Sequence, residues 1–338
     1  MVSNMEEKMP LLSELSDGSP AEQPASRHCR RRSLAQARIM LIILLLIGAV
    51  TWSYFCVIPF TQKARNQAEV GTPAYFDWSS IPSSPQLEYS KCYGGGFQCA
   101  RLELPMDYWN HTTDETISLA IIRKPAAVPV TDERYGGPIL FNPGGPGGSG
   151  IGLLLGGRGF EKIVDANTTD GKFYDLVSFD PRGVGETRPA AICSEDPVIA
   201  QSFALRVMEE GILGSSDASL GRLWSMSQAR SQSCSLPPKE GADIKRYLST
   251  AYVATDMLEV VEAHGAWRER EAKKLLRYPL NALGPALRYK KGREKIQYWG
   301  FSYGSYLGMT FAAMYPDRIH RLIVDGVVDA YDYKKTLW

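Results

Sequence analysis

The sequence predicts an α/β domain with a largely parallel sheet covered by helices, preceded by a single membrane-spanning helix. Beyond about residue 85, short apolar runs alternate with segments of helical periodicity, which is the order of a parallel α/β fold. A glycine-flanked serine at 300–304 joins one such run to a helical segment, and residues 39–62 carry no charge. The formal net charge is +1 over 338 residues, so nothing in the charge balance points to a nucleic-acid partner.

The N-terminal region predicts a tail followed by a membrane anchor. Residues 1–38 are polar and lack hydrophobic periodicity, as in a disordered cytosolic tail. Residues 39–62 exceed the ~20 apolar residues that cross a bilayer, and Trp52, Tyr54 and Phe60 lie at the far end, where interfacial aromatics are common. A cleaved signal peptide is the alternative, but the run is too long, begins too late and lacks a small-x-small cleavage site. The segment therefore predicts an uncleaved signal anchor.

Charge on either side of the anchor predicts its orientation. Five arginines precede the span, whereas only Lys63 and Arg65 follow it closely. The positive-inside rule then leaves the N-terminus in the cytosol, as in a single-pass type II membrane protein. The rest of the chain is expected in the secretory lumen, in a vacuole or outside the cell. Glycosylation triplets at Asn110 and Asn167 both fall on that side.

Four of the six cysteines lie beyond the anchor, and an even number in an oxidising compartment predicts two disulfides. Three glycines between Cys92 and Cys99 let the chain bend back, so these two are the expected near pair. Cys193 with Cys234 then follows by elimination. The alternative is that these cysteines are buried free thiols.

After a linker at 63–85, residues 86–338 are predicted to form the α/β domain. Six segments are predicted to be strands, and several of them are short apolar runs, as expected for strands that are covered on both faces. They are 100–104, 117–123, 139–142, 176–179, 296–299 and 321–324. Periodicity predicts a helix over 255–264 that ends at Gly265. The segment 267–295 is dense in Arg, Lys and Glu, which predicts a solvated helical insertion.

The pattern G-x-S-x-G at Gly300, Ser302 and Gly304 lies between a predicted strand and a helical segment, which is the context of a nucleophile elbow. Glycine removes the Cβ atoms that would collide where strand and helix meet, so the serine can adopt a strained backbone and project its hydroxyl. We therefore predict that Ser302 is a catalytic nucleophile. A glycine-rich turn with an incidental serine is the alternative.

A serine nucleophile needs hydrogen-bond donors for the oxyanion that forms on the attacked carbonyl. The N–H of Tyr303 is one candidate, because it lies at the start of a helix. The second is expected from the loop FNPGGPGGSG at 141–150, where Gly145 is the predicted donor and Pro146 has no N–H. Taken alone, this loop is also compatible with a phosphate cradle or a flexible linker, although it lacks the lysine of a P-loop.

Several motifs in order give the chain a family resemblance over about 89–332. They are CARLELPMDYW, FNPGGPGGSG, VSFDPRGVGETRP, YWGFSYGSYLG and YPDRIHRLIVDGVVD. They closely resemble the α/β-hydrolases of peptidase family S33, in particular the tripeptidyl- and prolyl-aminopeptidase-like branch. The resemblance implies an α/β-hydrolase fold and a Ser-His-Asp enzyme that releases residues from peptide N-termini. It also implies that Asp180 and Arg182 brace loops rather than react.

The resemblance places a catalytic acid after a seventh strand and a histidine after an eighth, and the sequence ends near the sixth. His320 follows the serine but lies at the start of a predicted strand, where a surface or capping role is expected. Asp325 or Asp329 is an alternative acid. The earlier histidines are His28, His111 and His264. They fall in the tail, in a glycosylation triplet and at the predicted helix end. We therefore expect a sheet that is incomplete at its C-terminal strands, and a chain that is impaired or inactive by itself, as in a truncated gene model, a fragment or a non-catalytic relative.

The predicted function is thus that of a membrane-anchored serine aminopeptidase acting on a peptide or a small ester or amide. An esterase or lipase is a second prediction, because an elbow and an oxyanion loop do not distinguish an ester from an amide. A non-catalytic lumenal binding protein is a third. No cofactor is expected, and no metal either, because the four histidines are scattered and no Cys/His cluster has ligand spacing.

Overall fold

A computed structural model describes residues 75–335, with gaps at 111–113, 158, 166–170, 195, 240 and 277–286. The predicted tail, the predicted span and most of the linker lie outside the described residues, as does Asn167. Within the described ranges, the structure contains no helix with the length and apolar character needed to span a membrane. The anchor at 39–62 stays a prediction.

One mixed sheet of seven strands organises the described residues. The strands are β1 (Ser90–Lys91), β2 (Gln98–Pro105), β3 (Thr116–Lys124), β4 (Tyr135–Asn142), β5 (Phe173–Phe179), β6 (Ile296–Phe301) and β7 (Ile319–Asp325). Their order is β1-β2-β3-β5-β4-β6-β7. The strands β1, β2 and β3 pair antiparallel in that order, and β3 also pairs antiparallel with β5. The strands β5, β4, β6 and β7 are parallel to one another. All six predicted strands are confirmed. Strand β1 was not predicted, because a strand of two residues is too short to show a hydrophobic pattern.

Helices cover the sheet on both faces. They are α1 (Gly150–Leu155), α2 (Phe160–Val164), α3 (Pro197–Glu210), α4 (Ser219–Ser235), α5 (Thr250–Leu276), α6 (Tyr303–Met314) and α7 (Ala330–Lys335). Short 3₁₀ turns occupy Trp78–Ser80, Ile244–Tyr247 and Pro316–Arg318. Successive residues of one strand enter opposite cores: Leu140 packs in the core that holds Met257 of α5, and Phe141 in the core that holds Phe160 of α2. Burial on both faces explains why β4, β5 and β6 contain continuous apolar runs, whereas β7 has no buried residue.

Helix α5 differs from its prediction, because it passes through Gly265 and continues to Leu276. A Cβ at Gly265 would lie 2.5 Å from Cδ of Glu294, so the glycine admits a neighbouring chain segment instead of ending the helix. Trp267 and Ala272 extend the buried face beyond it. Glycine inside a helix costs about 1 kcal/mol, and burial of one large apolar side chain outweighs this by contributing about 2–3 kcal/mol. The predicted helical structure is thus confirmed over 267–276, but these residues continue α5 and bury Trp267 and Ala272 instead of forming a separate solvated insertion.

Both predicted disulfides are present. Cys92 is bonded to Cys99, and Cys193 is bonded to Cys234. The first links the end of β1 to β2. The second joins the segment after β5 to the last turn of α4, and so closes the α3–α4 hairpin at its base.

Candidate active site

The candidate site lies at the carboxyl ends of the central parallel strands. From β4 the chain crosses to β5 on one side, and the chain later returns to form β6 on the other side of β4. The loops after β4 and β6 therefore leave the sheet in opposite directions. A crevice at such a reversal is where open α/β sheets bind ligands.

Ser302 occupies the sharp turn between β6 and α6 and has φ 54° and ψ −124°. This backbone is strained for a residue with a Cβ, at a cost of about 1–3 kcal/mol. Hydrogen bonds hold it on both sides: the Ser302 N–H donates to the Asp325 carbonyl at 2.9 Å, and the Ser302 carbonyl accepts from the N–H of Ser305 at 2.8 Å. The Ser302 side chain is exposed and makes no hydrogen bond to another described residue. The turn thus presents its hydroxyl outward, as the sequence predicts.

The two glycines of the elbow are needed where strand and helix touch. A Cβ on Gly300 would overlap the carbonyl oxygen of Gly304, and a Cβ on Gly304 would lie 2.8 Å from the carbonyl oxygen of Asn142. The Tyr298 hydroxyl also donates to the Gly304 carbonyl at 2.7 Å. The predicted steric reason for both glycines is confirmed.

The glycine-rich loop after β4 packs directly on the elbow. A Cβ on Gly144 would overlap the Phe301 carbonyl oxygen and lie 2.9 Å from the Tyr303 nitrogen. Gly145 follows with φ 119°. In the part of the chain that the structure describes, neither the Gly145 nor the Tyr303 N–H donates a hydrogen bond to protein. One donor without a protein partner therefore lies in the elbow, and another lies in the loop that packs on the elbow. Sequence reasoning chose Gly145 and missed that Gly144 makes the close approach.

Asp180 ties this loop to the loop after β5. Its carboxylate accepts hydrogen bonds from the Ser149 hydroxyl at 2.6 Å, from the Ile151 N–H at 3.2 Å and from the Glu186 N–H at 2.8 Å. Ser149 also caps α1 through its hydroxyl. Asp180 thus fixes where the glycine-rich loop ends, which agrees with the predicted bracing role.

Arg182 ties the loop after β5 to α5 and to the end of β2. Its guanidinium is buried and donates to both carboxylate oxygens of Asp256, at 2.7 and 2.8 Å. It also donates to the carbonyls of Pro105 and Met106. The ring centroids of Tyr108 and Tyr252 each lie 5.0 Å from the guanidinium carbon. Every nitrogen of this guanidinium thus has a partner within the protein, so the cation holds chain segments in place.

A family comparison agrees with this geometry. Residues 137–335, more than half of the chain, match the family model described as alpha/beta hydrolase fold. The chain belongs to the α/β-hydrolase family. The mixed, mostly parallel sheet and the serine turn are thus those of an α/β-hydrolase.

Individual relatives of this α/β-hydrolase include two peptidases. It is 29% identical over 302 residues to the serine protease Hip1 of Mycobacterium tuberculosis. The aligned region covers 88% of this chain and 47% of that protein. It is 32% identical over 233 residues to the tripeptidyl aminopeptidase of Streptomyces lividans, covering 69% of this chain and 35% of that protein. A carboxylesterase B of Mycobacterium tuberculosis is 31% identical over 167 residues, covering 49% and 30%. The chain spans less than half the length of these relatives.

His264 of this α/β-hydrolase is not at a helix end as predicted, but inside α5 and buried. Its Nε2 lies 3.3 Å from the Asp175 carboxylate and 3.2 Å from the Tyr135 hydroxyl. Burial lowers the pKa of His264, and the hydrogen bond to Asp175 only partly opposes this. Burial would raise the pKa of Asp175, but the hydrogen bond from His264 and the charge of Arg123 outweigh it and hold that pKa below its usual range. Asp175 lies near the start of β5, at the opposite end of the parallel strands from Ser302, so this histidine–aspartate pair belongs to the core and not to the serine site.

Of the three candidates that follow Ser302 in the chain, His320 lies at the far end of β7, whereas Asp325 is next to the elbow. His320 is exposed near the start of β7, and the five residues from there to Asp325 span about 17 Å of strand. Asp329 caps α7, accepting from the N–H groups of Tyr331 and Asp332 at 2.8 and 2.9 Å. Asp325 contacts the elbow through its backbone carbonyl. Among the described residues, neither His264 nor His320 lies at the carboxyl end of the parallel strands, where Ser302 is.

Proposed function

We propose that this α/β-hydrolase is a serine peptidase of the S33 type that releases residues from peptide N-termini, with Ser302 as its nucleophile. The observation that carries the proposal is the strained, outward-facing Ser302, with the Gly144 loop pressed against its turn. A strained backbone persists only where the surrounding structure holds it, and such positions cluster at active sites. Here both flanking glycines and two backbone hydrogen bonds hold it.

In this mechanism the Ser302 oxygen attacks the peptide carbonyl, and the oxygen of that carbonyl becomes negatively charged. The N–H groups of Tyr303 and Gly145 donate to it, and the N-terminal end of α6 adds a favourable dipole. These donors need no reorganisation during the reaction, because the packing of Gly144 on the elbow already sets them. A base within about 3 Å of the hydroxyl must take the seryl proton. Neither His264 nor His320 is placed to do so, and we therefore propose that Ser302 reacts slowly in this chain by itself.

A peptide is the favoured substrate because the two relatives that match most of this chain are named as a serine protease and a tripeptidyl aminopeptidase. The relative named carboxylesterase matches 49% of it. An ester hydrolase is therefore the second candidate, since the elbow itself serves either substrate.

A fluorophosphonate probe tests the proposal on the full chain. We expect one label per folded molecule, located on Ser302 by mass spectrometry, because Ser302 is exposed and lies in a turn that carries a candidate oxyanion donor. Ser302→Ala should abolish labelling, and the exposed Ser225→Ala should retain it as the matched control. A tripeptide amide with a free N-terminus should slow labelling at least about tenfold more than its N-acetylated form.

Each other outcome has a distinct meaning. Labelling that survives Ser302→Ala would overturn the assignment of the nucleophile. Equal protection by free and acetylated peptides would argue against an aminopeptidase and for the esterase alternative. Folded protein that takes no label would favour a binding protein that keeps the fold.

The proposal also includes the type II topology, with 39–62 as anchor and the hydrolase domain in the secretory lumen, in a vacuole or outside the cell. Its support is the uncharged span, the arginines before it and the triplets at Asn110 and Asn167. Asn110 is exposed. We expect a chain expressed in a eukaryotic cell to sediment with membranes and to shift in electrophoresis after glycosidase treatment. A chain that does not sediment with membranes would contradict this topology. So would electrophoretic mobility that neither Asn110→Gln nor Asn167→Gln changes.

A further inference from the structure

A small cavity of about 250 Å³ lies beside the serine turn. The glycine-rich loop forms one wall through Gly144 and Pro146, the loop after β5 forms another through Val184, and Leu248 and Tyr303 complete it. The volume is below the ~300–1,000 Å³ of sites for drug-sized ligands. It therefore suits a single side chain or a short acyl group.

Most side chains that line this cavity are apolar, and the side chains of Arg182 and Tyr303 are already hydrogen-bonded. Pro146, Val184 and Leu248 contribute carbon atoms only from their side chains. Arg182 also borders the cavity, but its guanidinium already donates hydrogen bonds to Asp256 and to two backbone carbonyls. The Tyr303 hydroxyl is hydrogen-bonded to Thr250 at 2.7 Å. A charged group placed here would lose water without gaining a partner, so the cavity favours an uncharged apolar group.

The same walls indicate which part of the substrate enters. The amine that leaves when a peptide is cleaved needs a proton donor beside it. Arginine stays charged and does not give up its proton in proteins, and burial raises the pKa of Tyr303 above its ordinary value. The described wall residues therefore offer no acid for a leaving amine. The acyl part of the substrate needs none, and it is attached to the carbonyl whose oxygen the adjacent loop holds.

We propose that this cavity is the acyl-side specificity pocket, which receives the uncharged, apolar side chain of the residue whose carbonyl Ser302 attacks, and that Leu248 sets its size. The inference rests on the proposed function of Ser302. Leu248 stands at the rim, where 37% of its surface is exposed. It packs against the backbone at Gly183, whose Cβ position would lie 3.0 Å from its Cδ2. A larger or smaller residue at 248 thus changes the opening directly.

Peptidyl fluorophosphonates that differ only in the acyl-side residue test the pocket. The set carries glycine, leucine, phenylalanine, lysine or glutamate at that position, and the rate of labelling of Ser302 is measured. We expect the leucine probe to react about 10–200 times faster than the glycine probe, as for apolar groups in an apolar pocket. The lysine and glutamate probes should react no faster than the glycine probe.

Two variants at the rim connect the preference to this cavity. Leu248→Trp should fill the opening and bring the leucine-to-glycine rate ratio close to one. Leu248→Ala should widen it and move the preference toward phenylalanine, which gives a second measurement if the tryptophan variant does not fold. Leu236→Trp is the matched control: it adds the same ring at an exposed leucine outside the cavity and should leave the ratio unchanged.

The outcomes separate the pocket from the nucleophile. If no probe labels Ser302, including the glycine probe, the proposed function fails and this inference fails with it. If Ser302 reacts but shows no preference for leucine, or prefers lysine or glutamate, the pocket assignment alone is overturned. A ratio that persists in both Leu248 variants has the same meaning.

Discussion

Gly144→Ala is expected to lower the free energy of unfolding by at least about 3 kcal/mol and to slow fluorophosphonate labelling of Ser302 by more than about tenfold. The new Cβ would overlap the Phe301 carbonyl oxygen and approach the Tyr303 nitrogen to 2.9 Å. These are backbone atoms, so no side-chain rotation relieves the overlap. The loop must lift from the elbow, which displaces the Gly145 donor. Urea denaturation and the labelling rate measure the two effects.

Gly147→Ala in the same loop is the matched control. Gly147 also has a positive φ, 98°, but a Cβ there would meet no atom within 4 Å. This variant should therefore show only the backbone strain, about 1–2 kcal/mol, and little change in labelling. If the two variants lose equal stability and equal reactivity, the contact between Gly144 and the elbow does not set the site.

Arg182→Met is expected to cost about 3–5 kcal/mol of unfolding free energy, because it leaves the Asp256 carboxylate buried without its cation. Asp256 would then keep only the Tyr108 hydroxyl, which donates to it at 2.6 Å. The aliphatic part of methionine preserves much of the packing, so the loss reports on the ion pair and on the hydrogen bonds to Pro105 and Met106. Urea denaturation of the folded domain measures it.

Two comparisons test that explanation. Arg188→Met removes the exposed pair with Glu186, whose atoms are 3.5 Å apart, and should cost less than about 1 kcal/mol. The double variant Arg182→Met, Asp256→Leu removes both buried charges and should be more stable than Arg182→Met alone. The role of an uncompensated buried charge would be refuted if Arg182→Met lost no more unfolding free energy than Arg188→Met. It would also be refuted if the double variant were less stable than Arg182→Met.

Much of the fold could be predicted because its signals are local. The parallel strands β4, β5 and β6 bury residues on both faces, so a continuous apolar run of a few residues identifies each of them. The elbow is equally local, since Gly300, Ser302 and Gly304 are close enough to specify a strand–turn–helix together. Both disulfides followed from the number and spacing of the cysteines.

Other features escaped the sequence because they depend on residues far apart in the chain. Gly265 resembles a helix stop until Glu294, which occupies the space where its side chain would be, is brought alongside. His264 resembles a helix end until Asp175 and Tyr135 are found around its ring. In each case the same residue type supports two structures, and the neighbour across the fold selects one.

The sequence by itself determined the apolar strands, the disulfide pairs and the strained turn that lifts the Ser302 hydroxyl, because backbone conformation and periodicity are set by a few consecutive residues. Only the tertiary structure decided what meets that hydroxyl. The order β5-β4-β6 brings the glycine-rich loop against the elbow and leaves His264 at the opposite end of the parallel strands. Strand order is decided by the packing of the whole sheet, and no short segment of the chain carries that information.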